Sequence, residues 1–303
     1  MSDAAAQAPT RARVVSIAGT DPSGGAGLMA DLRTMAALGA YGMGIVTNVV
    51  AQNTQGVYGV SPVEAEMVTA QLTAISDDVT IDGIKIGMLG DADIIIVVRE
   101  WLESLARGAG RNGGTLSRPP VVLDPVMIST SGTRLLEADA VEALQGLISS
   151  GLIDVVTPNI PELAALTGSA IPGTWAEVVE MAAEYSRRTG ARVYAKAGHL
   201  TGSEDRSDAL VSWKSEGSEN GSVHTVSLPG TLVTTKNTHG TGCTLSSALA
   251  SFAAAGMSWD DAARHAKIFM NGAIFHADEL AVGHGHGPID QLWNTTYGTG
   301  VNA

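Results

Sequence analysis

Short apolar runs that stop at glycine or a polar residue, each followed by apolar positions three and four apart, set the rhythm of this chain. Val14 to Ala18 is such a run, ended by Gly19, and between Gly24 and Gly39 the residues Leu28, Leu32, Met35 and Leu38 recur at helical spacing. That reads as strand, glycine turn, helix. The spacing then predicts a strand over Ile45 to Val50, a helix over Val63 to Ile75, a strand over Ile81 to Ile86 and a helix over Ala92 to Ala106. Val121 to Leu123 follows as a strand, Ala138 to Ile148 as a helix and Val155 to Val156 as a brief strand. In the second half a helix is expected over Trp175 to Arg188, a strand over Arg192 to Ala195, and β-structure around Ala209 to Trp213 and Val223 to Val226. Two helices, Gly242 to Ala255 and Trp259 to Leu280, close the pattern. Alternation of this kind predicts an α/β fold whose mostly parallel sheet is covered on both faces. Ligand sites are then expected at the carboxyl ends of the strands.

The glycine-rich and polar stretches Gly108 to Ser117 and Ser215 to Ser222 read as surface loops, and no internal repeat is present. Residues 14–303 therefore read as one domain, and residues 1–13, Ala-rich with scattered polar groups, as a frayed tail. Of the 303 residues 45% are hydrophobic, 16% charged and 4% aromatic, so the core must come from Ala, Val, Leu, Ile and Met. The one cysteine, Cys243, excludes an intramolecular disulfide and a cysteine-based zinc site. A formal charge of −13 disfavours nucleic acid and anionic membranes as partners, and a phosphate ligand must be captured locally. No run of about 20 apolar residues offers a membrane span. The expectation is a soluble, cytoplasmic protein.

Four segments carry candidate chemistry. Asn237-Thr238-His239-Gly240-Thr241-Gly242-Cys243-Thr244 stands directly before an apolar helix, where two glycines let backbone N–H groups converge and the helix dipole adds positive potential. Such a segment reads either as an anion cradle or as a plain glycine-rich helix entrance, and other segments must decide. Gly19-Thr20-Asp21-Pro22-Ser23-Gly24-Gly25-Ala26-Gly27 is a second glycine turn between strand and helix. It matches neither the P-loop nor the dinucleotide fingerprint. In Thr157-Pro158-Asn159-Ile160-Pro161-Glu162 the Asn and Glu side chains could serve Mg²⁺, or simply cap the next helix. Lys196 follows directly on the apolar strand ending at Ala195 and could pin a phosphate or extend to solvent.

In order and spacing these segments resemble the hydroxymethylpyrimidine and phosphomethylpyrimidine kinases of thiamine biosynthesis, within the ribokinase-like superfamily. The resemblance runs from about Val14 to Ile289. Besides the two glycine loops it is carried by Ala30-Asp31-Leu32, Leu38-Gly39-Ala40-Tyr41-Gly42, Val50-Ala51-Gln52-Asn53-Thr54, Lys85-Ile86-Gly87-Met88-Leu89 and Leu123-Asp124-Pro125-Val126-Met127. It implies a ribokinase-like three-layer α/β/α fold, ATP and Mg²⁺ as cofactors, a small pyrimidine as substrate and a homodimer. By the same resemblance Gly19, Ala26, Asp31, Gln52, Met88 and Val126 would hold the pyrimidine. Lys196, Asn159, Thr238, Gly240 and Gly242 would hold ATP, and Asn159, Glu162 and Asp124 the metal. Ala197 departs from the family, which often has a second glycine there.

Most ribokinase-like enzymes place an aspartate after the G-x-G of the cradle, and this chain has Cys243 instead. The implied mechanism uses Cys243 as a thiolate base, its pKa lowered by the helix amino terminus, with Gly240, Thr241, Gly242 and Lys196 stabilising the transferred phosphoryl group. Cys243 could equally be a buried helix residue. Three histidines, His276, His284 and His286, invite a metal reading that is set aside for want of an adjacent acidic ligand. Two rivals stay open: a pyridoxal kinase of the same superfamily, and a non-catalytic pyrimidine sensor on the same fold.

Overall fold

Strand β1 (Arg13–Ala18) is buried along all of its length after Arg13 and lies between two parallel neighbours, β2 (Tyr41–Val46) and β5 (Gly83–Ile86). A strand buried on both faces needs a helix layer on each side. Val15 and Ile17 share one core with Ile94, Val98 and Leu102 of α3 (Ala92–Ala109), while Val14 shares the other with Leu245 and Leu249 of α7 (Thr241–Ala254). The computed structural model describes residues 11–109, 118–127, 136, 138–199, 207–215 and 221–295.

The central sheet extends through β6 (Val121–Leu123), β7 (Val155–Val156) and β8 (Arg192–Ala195), all parallel, to an antiparallel pair, β9 (Asp208–Ser215) and β10 (Gly221–Leu228). Its eight strands run β10-β9-β8-β7-β6-β5-β1-β2. The core on one face draws on α2 (Ala65–Asp78), α3, α4 (Ala138–Ile148), α5 (Ile160–Thr167) and α6 (Trp175–Thr189). The other face is covered by α1 (Gly27–Ala37), α7 and α8 (Trp259–Phe275). The expected three-layer α/β/α order is therefore present. No helix among the described residues is long and apolar enough to cross a membrane.

Three sequence expectations need correction. The strand expected over Ile45 to Val50 is interrupted at Thr47, where the chain leaves the main sheet as β3 (Asn48–Asn53) and pairs with β4 (Gly56–Pro62). No alternation of apolar residues announces β4, because its outer half is exposed. Arg13, placed in the tail, begins β1 and is tied to Asp82 by its N–H and Nε at 2.8 and 2.7 Å. The last long helix stops at Phe275, and a separate short 3₁₀ turn covers Ala277–Leu280. The loop expected at Gly108 to Ser117 lies mostly outside the described residues, as do residues 216–220 between β9 and β10.

The parallel strands all point the same way, so Gly19, Gly87, Asp124, Thr157 and Lys196, each the first residue beyond its strand, come to one rim of the sheet.

Candidate active site

A cavity of about 680 Å³ opens at that rim. Gly19, Ala26, Gln52, Met88, Val126, Asp124, Asn159, Glu162, Lys196, Thr238 and the run Gly240 to Cys243 all line it, so segments spread over more than two hundred residues share one space. Asp31 does not belong with them. It is fully buried, its Oδ2 accepts from Ser16 Oγ at 2.6 Å and from Lys85 Nζ at 2.7 Å, and its Oδ1 accepts from Ser247 Oγ at 2.8 Å. A carboxylate occupied on both oxygens inside the core has nothing left to offer a substrate, which corrects the expectation for Asp31.

The amino end of α7 is unlike those of α5, α6 and α8, which are capped by the side chains of Asn159, Thr174 and Ser258. Its N-cap is Gly240, in the left-handed region at φ 85°, with no side-chain bond to the first turn. A side chain at Gly240 would also collide with the carbonyl oxygen of Gly25, and one at Gly242 would lie 2.8 Å from Asp124 Oδ2. A helix start without a side-chain cap, lined by glycine and open to a cavity, suits an anion.

Opposite the cradle, Lys196 Nζ lies 3.6 Å from Asp124 Oδ1, which also accepts from Thr157 Oγ1 at 3.0 Å. Burial works against the Lys196 ammonium, but Asp124 and Glu162 outweigh it and raise its pKa. Burial pushes the Glu162 carboxyl up to about 7, Lys196 opposing and Asp124 adding to the shift. Asn159 and Glu162 form a reciprocal cap, each backbone N–H donating to the other's side chain at 2.8 Å. The capping reading of this pair therefore holds, and both residues also line the cavity, with a correction: Asn159 Oδ1 is engaged in the cap, so its Nδ2 donor is the group better suited to ligand, and it suits phosphate rather than metal. Among the described residues no three His, Cys, Asp or Glu side chains gather as a metal site. Two carboxylates, Asp124 and Glu162, beside a phosphate cradle nevertheless fit Mg²⁺, which usually takes one or two carboxylates and completes its shell from phosphates and water.

Cys243 sits in the first turn of α7 and is partly exposed. The helix amino terminus was expected to lower its pKa. Instead burial pushes the thiol up to about 11, with Asp31 and Asp124 adding to the shift, Lys85 opposing and the Gly27 amide opposing by donating toward the sulfur. Desolvation of the anion outweighs the dipole here.

Another wall of the cavity is built by the first glycine turn, β3 and the residue after Gly87. Gln52 lies at the register shift between Ala51 and Gln52 in the β3–β4 hairpin, a bulge that re-aims side chains. Met88 caps the Gly19 side, where an added Cβ would stand 2.8 Å from its Cε. Gln52, which could have been a plain surface amide, is half-buried and faces this space.

Sequence reasoning overlooked Lys85, His239, Asp208 and Lys267, which also line the cavity. Lys85 carried a legible signal, a lone cation inside the apolar run Gly83–Ile86. Asp208 holds the turn after Lys196 by accepting from Ala197 N at 2.9 Å, and Lys267 Nζ donates to it at 2.7 Å. Ala197 therefore sits in a well-anchored 3₁₀ turn. The three late histidines part company: His276 bonds Glu279 at 2.8 Å and stacks on Trp293, His284 is exposed, and His286 Nδ1 is 3.1 Å from the Lys236 carbonyl while its backbone N–H donates to the Thr54 carbonyl at 2.8 Å.

The phosphomethylpyrimidine kinase family model matches residues 21–290. The hydroxymethylpyrimidine/phosphomethylpyrimidine kinase of Escherichia coli is 41% identical over 92% of this chain and 97% of its own length. The thiamine biosynthesis multifunctional protein ThiED of Corynebacterium glutamicum is 47% identical over 93% of this chain, which spans only 34% of that longer protein. Among solved structures, phosphomethylpyrimidine kinase from Clostridium difficile superposes with a TM-score of 0.68 at 34% identity, covering 87% of this chain and 100% of that one. Pyridoxal kinase from Staphylococcus aureus in complex with AMP-PCP and pyridoxal gives 0.76 at 27% identity, covering 93% and 94%. The cavity, its cradle and these likenesses agree, and the chain belongs to the phosphomethylpyrimidine kinase family.

Proposed function

We propose that the chain, with residues 14–303 and Arg13 of β1 acting as one kinase domain, transfers the γ-phosphoryl group of ATP to the hydroxymethyl group of 4-amino-5-hydroxymethyl-2-methylpyrimidine, and then to the resulting monophosphate. The observation that carries this reading is the glycine-lined start of α7, which brings Cys243 into the same cavity as Gln52 and Met88. Incubation with the hydroxymethylpyrimidine and MgATP, followed by product analysis, should give mono- and diphosphate. Consumption of pyridoxal with no phosphorylated pyrimidine would move the assignment to the second vitamin, and no ATP consumption with either would leave only a sensor.

Gln52 offers one acceptor and two donors, matching the ring nitrogen and amino group of an aminopyrimidine, and Met88 packs a polarisable thioether on the flat ring. The substrate hydroxyl then lies beside Cys243 Sγ. As its oxygen attacks the γ-phosphorus and the bond to the ADP oxygen breaks, the hydroxyl proton passes to the sulfur of the thiolate form of Cys243, which becomes the thiol. The amides of the first turn of α7 and the Lys196 ammonium take up charge on the transferred group, the main demand of phosphoryl transfer. Mg²⁺, held by Asp124 and Glu162, would neutralise phosphate charge.

A base that is protonated at neutrality sets the pH dependence. With the thiol near 11 the thiolate fraction grows about tenfold per pH unit below that value, so turnover should rise with pH between 6 and 9. A flat profile in that range would remove Cys243 from the rate-determining proton transfer. We further propose a cytoplasmic homodimer that covers the β3–β4 face, where Val49, Tyr58 and Val60 are exposed. Sedimentation of a monomer at micromolar concentration would refute the dimer.

A further inference from the structure

Two loops from distant parts of the chain meet at a histidine–carboxylate hydrogen bond that the mechanism above does not use. His239 Nε2 lies 2.8 Å from Asp21 Oδ2, with side-chain exposures of 12% and 0%. Asp21 is the hub of the first glycine turn. Its Oδ1 accepts from the amide and hydroxyl of Ser23 at 2.9 and 2.8 Å, and its Oδ2 also accepts from the Ala26 amide at 2.8 Å. Burial opposes ionisation of this carboxyl, yet His239 and Ser23 overcome it and bring it down to about 2, so the carboxylate accepts and the imidazole donates.

The contact extends beyond the pair. Gly25 lies under the imidazole, where an added Cβ would be 2.6 Å from His239 Cδ2. The main chain of His239 is fixed in turn by the C-terminal segment: its N–H donates to the Gly287 carbonyl at 3.0 Å, and its carbonyl accepts from Ile289 N at 3.2 Å. One side of His239 therefore adjoins Gly240, the N-cap of α7, and the other reaches through a single carboxylate to Ala26, the N-cap of α1.

We propose that His239 is a positioning residue which, through Asp21, fixes the loop that holds the transferring phosphoryl group relative to the turn that holds the acceptor alcohol. The inference deepens the kinase reading and rests on it. Loss of the imidazole leaves Gln52, Lys196 and Cys243 in place but frees one loop against the other. A misplacement of about 1 Å between reacting groups can cost about 100-fold in rate. The loss should therefore fall on kcat.

The test is steady-state kinetics of the full chain with the hydroxymethylpyrimidine and MgATP, comparing the parent with His239→Ala, His239→Gln, Asp21→Asn and the His239→Ala/Asp21→Asn pair, each corrected for folded fraction by circular dichroism. In His239→Ala, kcat should fall about 100-fold with both KM values within about threefold, and His239→Gln, which keeps an N–H donor, should recover about tenfold. The double variant should be no slower than the slower single one. Folded His239→Ala with the parent's kcat, a rise in KM alone, Gln as slow as Ala, or additive losses would each overturn the assignment. Should His239→Ala not fold, Asp21→Asn carries the comparison: a loss of about tenfold in kcat supports the pair and an unchanged kcat rejects it. A parent that leaves the pyrimidine untouched would sink the kinase reading itself, whereas an active parent with equally active variants sinks only the positioning role.

Discussion

Replacement of Cys243 by alanine should lower turnover about 10³-fold while leaving nucleotide affinity intact, because general-base assistance contributes about 10² to 10⁴ and phosphate binding rests on backbone amides and Lys196. The two properties separate cleanly in this site. In the proposed mechanism the thiolate meets the hydroxyl proton, whereas the cradle is made by the left-handed Gly240 and the start of α7, which a methyl side chain at position 243 leaves in place. Aspartate, the residue that most ribokinase-like enzymes carry at the matching position, should recover part of the loss. Because Cys243 is the sole cysteine, slow alkylation that accelerates with pH would report the same ionisation in the intact chain. Near-parental turnover of the alanine variant would reject the thiol as base.

The second large effect concerns stability. Lys85→Met should destabilise the fold by about 3–5 kcal/mol, the usual cost of removing one partner from a buried ion pair. Lys85 and Asp31 are both fully buried, 2.7 Å apart, between the hydroxyls of Ser16 and Ser247. Without the ammonium, Asp31 keeps its charge only at the cost of desolvation. The charge-balanced pair Lys85→Met/Asp31→Leu should regain most of the loss. Urea unfolding midpoints measure both. Since Lys85 is also the cation that opposes the upward shift of Cys243, the single variant should be slower as well as weaker.

Much of this architecture was readable before the coordinates. Leu28, Leu32 and Met35 repeat at helical spacing after a buried strand, and the order of such units dictates a parallel sheet whose loops gather at one rim. The β3–β4 hairpin escaped because Tyr58, Val49 and Val60 face outward and show neither alternation nor a buried run. Asp31 was misassigned although its spacing held the clue: it lies three residues after Leu28 and four before Met35, on the face that enters the core. A carboxylate there demands a buried cation, and Lys85 between Ile84 and Ile86 supplies it. The direction of the Cys243 shift was beyond the sequence, since it depends first on how deeply the fold buries the thiol and then on how Lys85, Asp31 and Asp124 converge on it, rather than on the helix that bears it. Asn159 illustrates a third case, in which a side chain that caps a helix also lines the cavity, so the cap does not decide against a ligand role.

The central claim is that the start of α7 receives the terminal phosphate of ATP next to the acceptor alcohol. A crystal structure with AMP-PCP and the hydroxymethylpyrimidine tests it most directly. The account predicts the γ-phosphate against the amides of Gly240 to Cys243, with the substrate hydroxyl within hydrogen-bond reach of Cys243 Sγ and the ring against Gln52 and Met88. Phosphates seated elsewhere, or a pyrimidine turned with its hydroxymethyl group away from Cys243, would contradict it.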